Sequence, residues 1–385
     1  MKRFIGIILV LVILALAMGC SSAPAATKTT PAAPAPAAPT TTAAPAPATQ
    51  APTTAQPAAP QTYNWKMGTT ITKAQPLLWV GYLEPFAAAV KEKTKGQINI
   101  TPYGVGTLIQ GMDQTKSCAS GVVELTEAVC GFDTGLVKEA AVGAGLIASF
   151  QTPQQANEFW YEYKGGAALD LLNQAYSKIN IRILAVLTHK TPMTIATTFP
   201  ITKVSDFEGK KIRPNGAFAP AIEALGAKSV TMPMGEIYTS LQTHVIDGCL
   251  QAWGILDDMK IAEQVKYMIV DPLWLPVSGA SVCEINLGVW NSLTPDQQKI
   301  LQDSAREIAS KNLIPESEAK NQTAYNNCLK MGVTPVTLAP EEAKKYMAAA
   351  GVCWKTTEAA SPVNAQIVAM VKDYLATKGV TPPPY

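Results

Sequence analysis

The deciding stretch begins Asp206-Phe207-Glu208-Gly209-Lys210-Lys211-Ile212-Arg213. It continues through Ala224-Leu225-Gly226-Ala227 and Met232-Pro233-Met234-Gly235-Glu236-Ile237-Tyr238. It closes with Leu241-Gln242-Thr243-His244-Val245-Ile246-Asp247-Gly248. Ser205 to Gly209 reads as a short capped turn, Lys210 to Arg213 as a strand and Gly216 to Leu225 as a helix. Val230 to Met232 is a second strand, Met234 to Thr243 a helix and Val245 to Leu250 a third strand. Strand and helix in strict alternation predict an α/β fold with parallel sheets and crossover helices.

The same alternation extends outward. Tyr63 to Thr70 reads as a strand with Trp65 and Met67 on one face, and Pro76 to Lys95 as an amphipathic helix closed by Gly96. Gln97 to Pro102 is a strand, Ile109 to Ser120 a helix stopped by Gly121, and Val122 to Val129 a strand. Asn180 to Leu187 and Ala280 to Val289 are apolar strands. Thr294-Pro295-Asp296-Gln297 opens the longest helix, with Thr294 as N-cap and Pro295 where its missing N–H is harmless. The pattern runs to Met331 and is interrupted only by Pro315, which predicts a kink. At ~1.5 Å per residue such a helix exceeds about 50 Å, enough to cross from one lobe to another.

The 385 residues carry 31 basic and 29 acidic side chains, a formal net charge of +2. Lys2 and Arg3 account for the excess. A balanced chain has no broad electrostatic footprint for nucleic acid. A hydrophobic share of 48% excludes wholesale disorder, and one long apolar run, at the N-terminus, excludes a polytopic membrane protein. Two His residues exclude a His-rich metal site. There is no Gly-x-Ser-x-Gly elbow, no P-loop and no Gly-x-Gly-x-x-Gly after a strand, so no catalytic motif presents itself.

Residues 1–20 read as an export signal. Lys2 and Arg3 precede an apolar stretch, Phe4 to Met18, which is about the length of a signal core and short for a spanning helix. Leu16-Ala17-Met18-Gly19-Cys20 resembles a bacterial lipobox, which implies lipidation of Cys20 and a lipoprotein on the extracytoplasmic face of the membrane or in the periplasm. Of residues 21–62, 36 are Ala, Pro or Thr, ten of them Pro, so this segment cannot bury a core. It predicts a disordered tether reaching about 130 Å when extended.

The stretch from Phe199 to Gly248 resembles the signature of TRAP-transporter solute-binding proteins of the dicarboxylate-binding type. There a "D-L-K-G-x-K-I-R" turn is followed by "G-A-x-P" and "M-P-x-x-E-V-Y-x-A-L-Q-x-G-x-V-D-G". The resemblance extends to Tyr63–Thr69 and to Val289–Pro295. It implies a two-lobed periplasmic-binding-protein-like fold with a long kinked helix spanning both lobes. It implies lobe I at 63–190 and 279–314, and lobe II at 191–278 and 315–385. It implies capture of a small organic acid by lobe closure, and delivery to a permease of small and large membrane subunits. No enzymatic activity, cofactor or nucleic acid is expected. Some relatives bridge their anion with a metal ion, and the sequence leaves that open here.

By resemblance, Arg213 grips the ligand carboxylate. Its chemistry agrees, because a planar guanidinium matches a carboxylate in two-pronged fashion and stays charged. Gln251 follows in a position that often touches ligand, Met234 in one that often lines the cleft, and Trp253 is a candidate wall. Met193 stands where some members carry a second Arg, which favours a monocarboxylate over a ligand gripped at both ends. His189 and Lys190 lie near the expected lobe crossing, and His189 is a further candidate contact. The loop Ile71 to Gln75 is expected near the ligand. Glu236 and Tyr238 read as helix braces, Asp247-Gly248 as a turn or hinge. His244 replaces the usual Gly at a position favouring positive φ.

Six cysteines follow Cys20: Cys118, Cys130, Cys249, Cys283, Cys328 and Cys353. Fifteen pairings are open to them. The family mostly lacks disulfides, so free thiols are expected; a single bridge would favour Cys328 with Cys353. Two other classes stay open: a ligand-sensing lipoprotein that feeds a signalling partner, and an anchored hydrolase, for which no nucleophile and base are visible.

Overall fold

The computed structural model describes residues 61–143, 146–214, 216–274 and 281–384. The signal peptide, Cys20 and nearly all of the 21–62 tether lie outside them. Among the described residues the strands are β1 (Tyr63–Gly68), β2 (Ile98–Tyr103), β3 (Leu125–Val129), β4 (Ile181–Leu187), β5 (Met193–Thr197), β6 (Lys211–Arg213), β7 (Lys228–Ser229), β8 (Gly248–Ala252), β9 (Tyr267–Asp271), β10 (Ser281–Asn286) and β11 (Thr334–Thr337).

They form two sheets. The first has the order β2-β1-β3-β10-β4 and the second β11-β9-β5-β8-β6-β7. Each sheet is covered on both faces by apolar clusters, so side chains alternate between them along a strand. Ile183 and Val186 of β4 enter one cluster and Leu184, Ala185 and Leu187 the other, the alternation being interrupted at Leu184, where the pairing with β10 shifts register. β10 is buried at every position, as expected of an inner strand covered on both sides.

The sheets are mixed, where crossover alternation had predicted parallel ones. β10 runs antiparallel to both β3 and β4, and β5 antiparallel to β8 and β9. β10 and β5 are the strands by which the chain passes to the other sheet. The step from β4 to β5 is the segment Thr188–Pro192.

The long helix begins with the expected cap. Thr294 accepts from the Gln297 amide, and the Gln297 side chain accepts from the Thr294 amide at 3.1 Å. Pro295–Ile308 packs on helix Glu84–Lys93 and β4, whereas Ile314–Lys330 packs on helix Trp253–Asp258 beside the second sheet. Between them Ala309–Leu313 is a π turn. Pro315 lacks an N–H for the preceding turn and its ring crowds the carbonyl four residues back, so the helix widens just ahead of it. Trp79–Leu83 repeats the device ahead of Pro85. The helix predicted from Pro76 to Lys95 therefore runs through a π turn there and ends at Lys93.

The C-terminal part departs from the expected lobe II. Helix Pro340–Ala360 starts on the second sheet with Tyr346, Ala349 and Cys353, and ends with Trp354 in the first lobe's core. Helix Pro362–Thr377 packs wholly into that core through Ile367, Val368, Val371 and Leu375. Its apolar side matches the helix Ala167–Ser177, and the tail is thus a second crossing.

All six described cysteines are buried and free. Cys328 and Cys353 sit in different apolar clusters and form no bridge. Burial raises every one of these thiols above the usual range, Cys283 to about 12 and Cys328 to about 11.

Candidate functional site

The signature stretch builds one wall of a cavity. Gly209 and Gly226 turn the chain with φ of +72° and +87°, which glycine tolerates. Asp247 locks β6 to β8: its carboxylate accepts the Lys211 amide at 2.8 Å, and its own amide donates to Lys211 O at 2.7 Å. At Gly248 a Cβ would lie 2.6 Å from Ala196 O, so no side chain fits there. His244 adopts φ +59°, the left-handed conformation its place in the signature implied. Tyr238 donates to Glu263 at 3.3 Å, away from the cavity.

The outcome is that Arg213 ends β6 facing a cavity of about 110 Å³ between the two lobes. From the second lobe it is lined by Met193, Arg213, Phe218, Met234, Leu250, Gln251, Ala252 and Ile255. Thr191 of the β4–β5 crossing lines it too. The first lobe contributes Val129 and Phe132, from the end of β3 and the short helix after it.

Arg213 is 2% exposed. Its Nε and one terminal nitrogen both donate to Met232 O, at 3.2 and 3.0 Å. No carboxylate among the described residues pairs with it. Burial pulls the guanidinium below its usual pKa, against which the nearby Cys249 thiol works. A guanidinium nevertheless stays charged. Among the described residues it is the only charged one lining the cavity.

Gln251 is buried on the same wall, and its side-chain amide has no hydrogen-bond partner among the described residues. Met193 and Met234 line the cavity as neutral, adaptable surfaces. Gln75 of the first lobe donates to Met234 Sδ at 3.6 Å, and thus the lobes touch beside the cavity. Trp253 is not on the lining. Its ring packs on Tyr325 with centroids 4.8 Å apart. His189 lines an adjoining chamber together with Ile71 and Gln75 of the loop after β1. Among the described lining residues the side chains offer a divalent cation only the neutral oxygens of Thr191 and Gln251 beside a fixed positive charge, a set that does not fit a metal ion.

Sequence reading missed the first-lobe wall. Val129 and Phe132 stand at the C-terminal end of a strand, where ligand clefts of α/β folds open. That position is the one signal that pointed to them.

A cavity held between two lobes, with a buried unpaired cation, is the geometry of a receptor for a small anion. The model of bacterial extracellular solute-binding proteins, family 7, matches residues 69–360. The chain belongs to this family. A monocarboxylate 2-oxoacid-binding periplasmic protein of Nostoc sp. is 27% identical over 283 residues, 72% of this chain and 74% of that one. An ectoine/5-hydroxyectoine-binding periplasmic protein of Ruegeria pomeroyi is 22% identical over 299 residues, 76% and 82% of the two chains. A crystal structure of a TRAP transporter solute-binding protein from Bordetella bronchiseptica aligns with TM-score 0.72 at 18% identity, covering 83% of this chain and 93% of that one. Its description records calcium and picolinate in the active site.

The chain is thus a bacterial extracellular solute-binding protein of family 7, and the relatives named above are binding proteins. No described helix is long and apolar enough to cross a membrane.

Proposed function

We propose that this protein captures a small monocarboxylate with an apolar or neutral body and delivers it to a TRAP permease of small and large membrane subunits. Lipid on Cys20 holds the receptor at the extracytoplasmic face. The carrying observation is Arg213: a fully buried cation, on the cavity, without a carboxylate. An unpaired buried charge costs several kcal/mol, and an anionic ligand removes that cost. Among the described residues the remaining lining holds no second cation, and Met193 stands where some family members carry one, which argues against a second carboxylate.

Capture proceeds by lobe closure. In an open state Arg213 and Gln251 face water, and the carboxylate docks two-pronged on the guanidinium. Closure brings Val129 and Phe132 over the ligand and expels water, which strengthens the ion pair. The β4–β5 segment, the kinked long helix and helix Pro340–Ala360 connect the lobes and absorb the motion. The name of the Nostoc relative, a 2-oxoacid-binding protein, supports the monocarboxylate class.

A thermal-shift panel tests this reading. The protein is unfolded and refolded to strip carried-over ligand, then offered monocarboxylates, 2-oxo and hydroxy acids, aromatic acids, dicarboxylates and sugar acids. A monocarboxylate at about 100 times its Kd should add roughly 2.7 kcal/mol of stability. A shift from dicarboxylates alone would refute the ligand class.

A further inference from the structure

The first-lobe wall of the cavity stands on a pair of buried acids. Helix Cys130–Asp133 follows β3 and is only four residues long. Its Phe132 lines the cavity. Its Gly131 meets the second lobe: a Cβ on Gly216 would stand 3.3 Å from the Gly131 carbonyl oxygen. Asp133 ends the helix and is 2% exposed. The Asp133 charge is felt by Glu284 of β10, which is fully buried. One short helix thus touches the ligand space, the opposite lobe and an acid pair.

The pair has little with which to hold two negative charges. Thr115 donates to Asp133 at 2.7 Å, and Thr126 donates to Glu284 at 3.0 Å. Glu284 Oε1 is buried without a hydrogen-bond partner among the described residues. The Thr115 hydroxyl also bears on Glu284, but it has a single proton to give. Lys116 is the cation that acts on Asp133, and it is exposed and paired with Asp113 at 3.1 Å. The other titratable groups around the pair are Glu127, Cys118, Cys130, Cys283 and Tyr176. Burial keeps those thiols and the phenol neutral, so none supplies a positive charge. The second-lobe turn Gly216–Phe218 and helix Ala140–Gly143 pack on the same short helix and carry no titratable side chain.

Two neighbouring carboxylates in such a site do not both ionise, so the pair retains a proton. Burial raises both acids, Asp133 to about 7, which puts the loss of that proton near neutral pH. An ionised Asp133 is stabilised by solvent, and solvent reaches it when the helix lifts. Lifting withdraws Phe132 from the cavity and Gly131 from Gly216.

We propose that the Asp133–Glu284 pair is a proton-operated latch on lobe closure. While the pair holds its proton, helix Cys130–Asp133 stays seated against the second lobe. When the proton passes to solvent, the helix is freed and the lobes part. The latch rests on the lobe-closure reading above and is independent of which acid is captured. It makes closure, and with it capture, more favourable as the medium becomes more acidic.

The distance between two spin labels in the full chain, purified in mild detergent and refolded free of ligand, tests it. Gln174→Cys on the first lobe and Thr239→Cys on the second supply exposed attachment points, and the six described native thiols are buried. The closed-to-open ratio should fall as pH rises through about 7, by at most about tenfold per pH unit for one linked proton. Asp133→Asn cannot ionise and should keep the ratio constant across that range. Thr115→Val removes the hydroxyl that donates to the Asp133 carboxylate and should move the midpoint to higher pH. A ratio that ignores pH in the parent overturns the latch, and so does a pH response that persists unchanged in both variants. If a carboxylic acid from the thermal-shift panel closes the lobes while pH does not, only the latch fails. If neither pH nor any acid of the panel changes the distance, the closure reading fails and the latch with it.

Discussion

The two lobes bury charge in opposite ways. The first lobe's core holds three carboxyl groups, Glu127, Asp133 and Glu284, each 2% exposed or less. The second lobe's wall holds one guanidinium, Arg213, equally buried. The acids have donors close by: Thr70 donates to Glu127 at 2.6 Å, Thr115 to Asp133 at 2.7 Å and Thr126 to Glu284 at 3.0 Å. Burial raises all three above the usual carboxyl pKa, Asp133 to about 7 despite Thr115 and Lys116, and the neighbouring Asp133 charge adds to the rise at Glu284. A buried acid escapes its desolvation cost by keeping a proton. A guanidinium has no such escape. The comparison bears on structure and function: burial raises the carboxyl pKa values, so these acids can take up a proton and stay in the core, whereas a guanidinium has no such route, in keeping with the proposed anionic ligand.

The largest effect that would break this contrast is at Arg213. Arg213→Met should cost several kcal/mol of ligand affinity, a loss of more than a hundredfold, because the carboxylate is left buried and unpaired. Ligand-free, the same variant should gain on the order of 1 kcal/mol, since a desolvated charge has been removed. Calorimetry gives the first quantity and urea unfolding of ligand-free protein the second. Equal stability loss in both states would make Arg213 a structural residue like the acids.

The acids supply the second test. An acid whose folded pKa lies above its unfolded value stabilises the fold fully at low pH and loses that stabilisation as pH rises. For Asp133, with an ordinary value of 3.8 and a folded value of about 7, the loss runs from about pH 4 to about pH 7. Over this window the unfolded chain sheds a proton that the folded one keeps. Asp133→Asn, which retains an acceptor for Thr115, should flatten the decline in urea midpoint and leave the protein more stable at pH 8. A decline of unchanged slope would show that Asp133 is ionised in the fold, and the two lobes would then bury charge alike.

How far the sequence carried this contrast depends on where information is local. The Arg213 wall was legible because backbone demands fix it: positive φ at Gly209 and Gly226, and no room at Gly248. The long helix was legible from its Thr294-Pro295 cap and Pro315. Boundaries slipped where local signals mislead. Gly111 takes φ +56°, which delays the helix expected from Ile109 until Gln114. Val245 is half exposed in the turn after His244, so β8 starts at Gly248. The strand read at Val230 lies instead at Lys228–Ser229, a two-residue edge with no apolar pattern. The docking of Pro362–Thr377 on the first lobe and the approach of Phe132 to Arg213 are tertiary facts. No window of sequence holds both partners.

A smaller effect is expected at Gln251. Its amide faces the cavity beside the guanidinium, so Gln251→Leu should weaken a bound carboxylate roughly tenfold through one lost hydrogen bond to a charged group. Stability of the ligand-free protein should barely move, since no protein partner among the described residues is lost. Affinity reduced as much as in Arg213→Met would mean that the two side chains act as one unit, which a double-mutant cycle would resolve.

The smallest effect concerns Trp253, two residues beyond Gln251 on the chain but on the other side of the wall. β8 ends at Ala252, and helix Trp253–Asp258 turns the indole towards Tyr325 on the long helix. The indole is half-buried in the apolar cluster behind the sheet, and its buried Nε1 has no hydrogen-bond partner among the described residues. Trp253→Phe therefore keeps the aromatic contact and loses no hydrogen bond. Ligand affinity should change less than twofold, and the cost in stability should stay near 1 kcal/mol, as for a modest loss of packed volume. A loss of affinity with unchanged stability would place the indole against the ligand in the captured state. The cavity wall would then have to turn over during closure, and the contrast between an anion-facing cation and an inert apolar backing would no longer hold.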